Sequence, residues 1–441
     1  MEAAVTPTTI PGLLVVDLPV HGDNRGWFKE NWQREKMVAL GLPDFGPVQQ
    51  NVSFNGAAGT TRGIHAEPWD KLVSVAHGKI FGAWVDLREG PTFGAVFTAE
   101  IDESRAVFVP RGVGNAYQTL ADSTAYSYLV NAHWSADAHY TFLNLADETA
   151  AIDWPIPLDQ AELSDKDRGH PRLAAVHPVA PRKTLILGAN GQLGRALQKA
   201  FPHAEAATRE DFDLTDPASF ADRNWRDYDT IINAAAYTRV DVAETPQGRR
   251  DAWAINVSAL VDLARIANRF NLALVTVSSD YVFDGMTTEH TEDEPLSPLG
   301  VYGQTKAAGE AVASLVDRHY IVRTSWVIGD GHNFVSTMER LAANGVSPEV
   351  VNDQVGILTP AADLAAGIKR LLDEGAPYGV YHLTGDGPAQ SWADIARDVF
   401  SRVGRDPADV KDVSTEDYGA GKALAPRPAH STLRSTKTDK G

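Results

Sequence analysis

The sequence predicts two domains in tandem, an antiparallel β-sandwich or barrel followed by an α/β domain on a parallel sheet. Three observations lead there. The chain has 441 residues, more than one ordinary hydrophobic core accommodates. Residues 1 to about 155 break into short β-rich runs separated by turns. From Lys183 onward, apolar strands alternate with helical patterns.

In the first half the runs are 13–16, 72–75, 80–85, 106–109 and 125–130, with turn signals at His77-Gly78-Lys79 and Arg88-Glu89-Gly90-Pro91. That spacing suits antiparallel pairing. In the second half, strand 184–187 leads to helix 194–201, strand 230–233 follows, and helix 254–270 leads to strand 272–277. Between the halves, 170–182 carries Pro171, Pro178 and Pro181 with little periodicity, so the linker is placed there.

Composition narrows the function. A formal charge of −18 and a pI near 5.1 argue against a nucleic-acid partner, which needs a basic face. Cysteine is absent, which removes disulfides, thiolate nucleophiles and Cys-ligated zinc. Residues 1–11 lack the charged start and apolar run of a signal peptide, and no stretch approaches the length of a membrane span. A soluble cytoplasmic protein is expected.

Gly188, Gly191 and Gly194 follow a predicted strand and open a predicted helix. There, backbone N–H groups and a helix N-terminus can hold a pyrophosphate, and a Cβ would block the approach. Alone, the run also fits a plain glycine turn. Tyr302 and Lys306 stand one helical step apart, so phenol and ammonium share a face. A nearby cation favours the phenolate, and such a tyrosine can protonate the alkoxide formed by hydride transfer to a carbonyl. Ser278, Ser279 and Asp280 end the strand before them, where open α/β sheets place ligands.

These segments resemble dTDP-4-dehydrorhamnose reductase, of the extended short-chain dehydrogenase/reductase superfamily. The likeness rests on ILGANGQL at 186–193, NAAAYT at 233–238 with Val240-Asp241, SSDYVFDG at 278–285 and VYGQTK at 301–306. RTSWV at 323–327, VNDQVGILT at 351–359, Arg427-Pro428 and Ser431 complete it. It implies a Rossmann-like doubly wound domain over 183–441. By that likeness Ser279, Tyr302 and Lys306 are catalytic, with serine where the family more often has threonine. Gly188, Asn190, Gly191, Gln192, Leu193, Gly194, Ala234, Ala235 and Ala236 would hold the cofactor together with Tyr302 and Lys306, and Trp326 would meet the substrate. After the expected second strand, Ala206-Ala207-Thr208-Arg209 offers no acid for a ribose 2′-hydroxyl, while Arg209 can face a 2′-phosphate. NADPH is therefore expected, with NADH possible.

In the first half His65 is a candidate base for removing a proton α to a carbonyl, and Lys71 a candidate to stabilise the enolate. Tyr128 lies on an alternating run and would equally fill a core. His65, His77, His133, His139 and His170 form no His-x-His cluster with a following carboxylate, so no metal is expected.

This half resembles dTDP-4-dehydrorhamnose 3,5-epimerase: GDNRGWFKE at 22–30, QQNVS at 49–53, RGIH at 62–65, KLV at 71–73, VDLR at 85–88, PTFG at 91–94 and LSDKD at 163–167. The likeness implies a cupin-like jelly-roll barrel over 1–173, leaving 174–182 as linker. It makes His65 the base with Asp167 as dyad partner and Tyr128 the acid on the opposite sugar face, and keeps Lys71 in the catalytic set. It assigns the nucleotide sugar to Arg25, Phe28, Glu30, Gln49, Asn51 and Arg62. Some of these reach across a dimer in the family, so a homodimer is expected. Two departures stand out: Ala66-Glu67 where the family has Tyr-Gln, and Gly114-Asn115-Ala116 where it has Ala-His-Gly.

Together the halves imply a bifunctional enzyme that acts on a dTDP-linked 4-keto-6-deoxy sugar, epimerises it without a metal, and reduces it at C4 to dTDP-L-rhamnose. Two rivals stay open: a reductase carrying a degenerate dimerising barrel, and a non-catalytic nucleotide-sensing scaffold.

Overall fold

The computed structural model describes residues 2–136 and 138–437. The chain divides into two compact units with the boundary between Pro181 and Arg182.

The first unit is a jelly roll of two antiparallel sheets. In spatial order, one sheet holds Ala4–Pro7, Leu14–Asp17, Arg105–Val109, Lys71–His77, Thr124–Val130 and Gln49–Asn55. The other holds Thr141–Phe142, Thr61–Ala66, Val113–Thr119, Ile80–Asp86 and Val96–Ile101. Inward side chains of both share one core, including Val73, Val107 and Tyr126 from the first and Ile80, Trp84 and Val113 from the second. Gly82 makes room for Trp84, because a Cβ there would lie 2.3 Å from the indole.

The segment 174–182, read from its prolines as a linker, packs onto this unit as far as Ala180. Leu173 and Val176 are buried, the Val179 N–H donates to the Leu87 carbonyl at 2.7 Å, and Arg111 donates to the Ala180 carbonyl. Proline removes ladder donors, but it leaves carbonyls and neighbouring side chains free to pack.

The second unit is built on a six-stranded parallel sheet in the order Glu205–Ala207, Lys183–Leu187, Tyr228–Asn233, Ala273–Ser279, His319–Thr324, Gly379–His382. Apolar clusters lie on both faces, one around Leu185, Ile231 and Leu263 and the other around Ile186, Ile232 and Ile368, which makes the sheet doubly wound. The strand order reverses between Lys183–Leu187 and Tyr228–Asn233, and the carboxyl ends at such a switch point are where open α/β sheets place a ligand. The helix expected over 254–270 is regular only from Ala259 to Phe270. Before it, Ala254–Ser258 is a π-helical turn. Asn256 sits in that turn and bonds the backbone N–H and carbonyl of Tyr237 and the Thr305 hydroxyl, ties that a regular helix would redirect. Among the described residues, no helix is long and apolar enough to cross a membrane.

Candidate active sites

In the barrel, strand Thr61–Ala66 presents a half-buried His65 whose Nε2 lies 2.9 Å from Asp167 Oδ1. Asp167 comes from the short helix Asp165–Arg168, capped by the Ser164 hydroxyl. Burial raises the Asp167 carboxyl, but the hydrogen bond and charge of His65, aided by the Gly63 backbone, outweigh it and hold the group below its ordinary range. The carboxylate is therefore ionised and can orient an imidazole. Phe142 and His170 wall the ring edge-on at 5.5 and 5.3 Å.

On the facing sheet, Lys71 is buried with its ammonium 3.2 Å from Glu67 and 5.8 Å from the centre of the Tyr128 ring. Burial, followed by the Glu67 charge, pushes the Tyr128 phenol up, with Arg62 and Asn51 acting against the shift. Tyr140 is pushed up to about 12, by burial first and then by Glu67. Both phenols thus keep their protons at neutral pH and can donate. The His65–Asp167 pair and the Lys71–Tyr128 pair are linked through Phe142, Tyr140, Trp69 and Glu67.

The other expected residues divide. Gln49 donates to Asn51, which faces Tyr128 across the strands, and Arg62 donates to Asn55. Arg25 and Glu30 instead pair with Asp23 and Lys36, and Phe28 is 70% exposed, so these three engage their own surroundings and solvent. Sequence reasoning missed Tyr140 and Phe142, named Glu67 only as the departure beside RGIH, and weighed His170 only as a metal ligand. The sequence holds no His-x-His cluster with a following carboxylate; among the described residues, His65, Asp167 and His170 nonetheless bring donor atoms within 4.8 Å of one another. Distant chain segments make that group, which no local spacing can reveal.

In the second unit the strand Lys183–Leu187 runs into Gly188 at φ +80°, where a Cβ would lie 2.7 Å from the Ala235 nitrogen. A Cβ on Gly194 would lie 2.2 Å from the Gly188 carbonyl. The turn thus presses against the Asn233-Ala234-Ala235 crossing, where the Ala234 N–H donates to the Leu187 carbonyl. Gly191 caps the helix Gln192–Ala200 without a side-chain bond, which leaves N-terminal donors facing the crevice with Asn190, Gln192 and Leu193 around them. A bare helix start, a backbone cradle and a switch point fit a dinucleotide pyrophosphate. Ala236 continues the crossing. Arg209, just past Glu205–Ala207, is exposed and bonds Asp213.

Ser279 ends its strand, and its hydroxyl donates to Asp280 Oδ1 at 2.7 Å. Helix Val301–Ala313 supplies Tyr302 and Lys306. The Lys306 ammonium donates to the Val277 carbonyl at 2.6 Å, and burial lowers it to about 8 against the pull of Glu310. Lys306 does not hold Tyr302 as a phenolate at rest. Burial, then the Asp280 charge, push Tyr302 up to about 12, while the nearby Ser279 hydroxyl works the other way. The phenol is thus a proton donor at neutral pH. Trp326 adopts φ +46° and stacks on Trp392 at 3.7 Å, its ring lying over Gly356.

A family model described as dTDP-4-dehydrorhamnose 3,5-epimerase matches residues 7–175, and one described as RmlD substrate binding domain matches 182–441. The first half is 53% identical to the RmlC homolog of Streptococcus pyogenes serotype M6, over 39% of this chain and 90% of that protein. The second half is 39% identical to the dTDP-4-dehydrorhamnose reductase of Aggregatibacter actinomycetemcomitans, over 58% of this chain and 91% of that protein. It also resembles the crystal structure of dTDP-4-dehydrorhamnose reductase from Bacillus anthracis in complex with NADP, with TM-score 0.53 and 35% identity over 58% of this chain and 90% of that one. The chain therefore belongs to the RmlD family through 182–441 and joins to it a member of the RmlC epimerase family.

Proposed function

We propose that the chain makes dTDP-L-rhamnose in two steps, a 3,5-epimerisation of dTDP-4-dehydro-6-deoxyglucose in the barrel and a C4 reduction in the doubly wound unit. The observation that carries this is the union in one chain of an epimerase and a reductase of the same ketone. Neither rival, an idle barrel or a non-catalytic scaffold, gains support.

In the barrel, His65 takes the proton α to the ketone, Asp167 holds the imidazole and offsets its charge, and Lys71 stabilises the enolate. Tyr128 returns a proton from the opposite face. This chemistry is read as metal-free, because Asp167 already serves His65 and a metal would occupy the base. Gln49, Asn51 and Arg62 fit substrate contacts beside Tyr128. Arg25, Phe28 and Glu30 are read as contacts given to a second copy. A homodimer is supported by the outward Phe28, Val52 and Phe54, which are 64–70% exposed.

In the second unit, NADPH supplies hydride when bound, and its preference over NADH leans on Arg209. Gly188, Asn190, Gly191, Gln192, Leu193 and Gly194, with Ala234, Ala235 and Ala236, hold it. Tyr302 protonates the developing alkoxide, Ser279 orients the carbonyl, Lys306 offsets the phenolate left behind and Trp326 bounds the sugar. No membrane or nucleic-acid partner is invoked, and the cytoplasm is the expected compartment.

Two variants separate the steps. His65→Ala should abolish exchange at C3 and C5 while reduction of pre-epimerised ketone continues. Tyr302→Phe should do the reverse. Loss of both activities in either variant would overturn the assignment of one step to each half.

A further inference from the structure

The carboxylate beside the reductase hydroxyls has no role in the steps above. Asp280 is 3% exposed, and no ion pair is formed by it among the described residues. Ser279 donates to it at 2.7 Å, and the same hydroxyl lies close enough to Tyr302 to lower its phenol, so a carboxyl, a hydroxyl and a phenol lie next to one another. The second carboxyl oxygen, Asp280 Oδ2, is buried without a hydrogen-bond partner, and the Ser431 hydroxyl of the C-terminal stretch acts on the carboxyl from nearby. The other ionisable groups at hand are Tyr281, which Arg427 reaches while pairing with Asp241, and Lys306, held on the Val277 carbonyl.

We infer that Asp280 is a positioning residue that works through Ser279 to restore the proton Tyr302 gives up. This rests on the reading of Tyr302 as the proton donor.

The step balances. As the Tyr302 O–H bond breaks, its proton joins the product oxygen. The phenolate takes the Ser279 hydroxyl proton, and Ser279 takes that of the Asp280 carboxyl. The remaining carboxylate regains a proton from water, so one proton passes from solvent to product and no electrons move along the chain. A buried carboxylate without a cation resists ionisation. Burial accordingly raises Asp280 to about 6, against the opposing Ser431 and Ser279 hydroxyls, so part of the population carries the proton near neutrality.

The test is the pH profile of ketone reduction by the full chain with NADPH and pre-epimerised dTDP-linked ketone. The native protein should show a falling limb near pH 6. Asp280→Asn keeps the shape, and should remove that limb, lower kcat about tenfold or more, and raise the solvent isotope effect on kcat, with KM for the ketone within about twofold. Ser431→Ala, which removes a nearby hydroxyl that favours the ionised form, should move the limb to higher pH. An Asp280→Asn protein with native kcat and native profile would overturn the inference. If that variant fails to bind NADPH, the Ser431→Ala profile decides, and an unmoved limb overturns it. Tyr302→Phe run alongside keeps the two ideas apart: an inactive Tyr302→Phe beside an unaltered Asp280→Asn retires only the relay, whereas an active Tyr302→Phe retires the donor itself.

Discussion

His65 Nε2 and Asp167 Oδ1 meet at 2.9 Å across 102 positions of sequence, one on a strand and the other in a capped helical turn beyond the sheets. The carboxylate is held ionised, so it fixes the tautomer and offsets the charge the imidazole gains as a base.

Asp167→Asn keeps the shape and removes that charge. Solvent deuterium incorporation into the ketone should fall about 100-fold or more, while NADPH oxidation with pre-epimerised ketone stays at the native rate. Native incorporation in this variant would remove the dyad from the mechanism.

The cofactor cradle depends on a backbone that only glycine holds easily. Gly188→Ala forces a Cβ into Ala235 at φ +80°. We expect a loss of roughly 1–3 kcal/mol in stability and loss of NADPH binding, read by thermal melting and by fluorescence titration. Unchanged affinity would place the dinucleotide elsewhere.

Lys306 is lowered to about 8 by burial. Its ammonium is present below that pH and is lost as pH rises through it, taking with it the charge that offsets the Tyr302 phenolate. Reduction by the Asp280→Asn variant, where Lys306 supplies the remaining limb, should therefore decline above about pH 8. A flat profile to pH 10 would remove that electrostatic role.

How much of this was legible in the sequence depends on distance along the chain. Gly188, Gly194, Tyr302 and Lys306 were readable because local spacing dictates their geometry: a strand, a tight turn, a helical step. Strand Gln49–Asn55 was not, because it alternates polar with exposed apolar residues, and neither was Val113–Thr119, buried throughout yet rich in Gly, Asn and Gln. Asp167 came only through resemblance to a family. Glu67 and His170 were given no role because nothing in the sequence alone places Glu67 against Lys71 or His170 beside His65. The high pKa of Tyr302 was missed because burial and Asp280 set it, while the Lys306 ammonium is held on the Val277 carbonyl.

The grouping of His65, Asp167 and His170 invites a metal test. Dialysis against EDTA should leave deuterium incorporation within about twofold of the untreated rate, whereas excess Zn2+ should suppress it by occupying the base. Loss on chelation with recovery on adding one particular metal would replace the metal-free mechanism.

The most direct measurement is NMR of dTDP-4-dehydro-6-deoxyglucose incubated with the full chain in deuterated water, first alone and then with NADPH. The account predicts deuterium at C3 and C5 in the first stage and dTDP-L-rhamnose bearing both labels in the second. An unlabelled ketone together with unconsumed NADPH would contradict it.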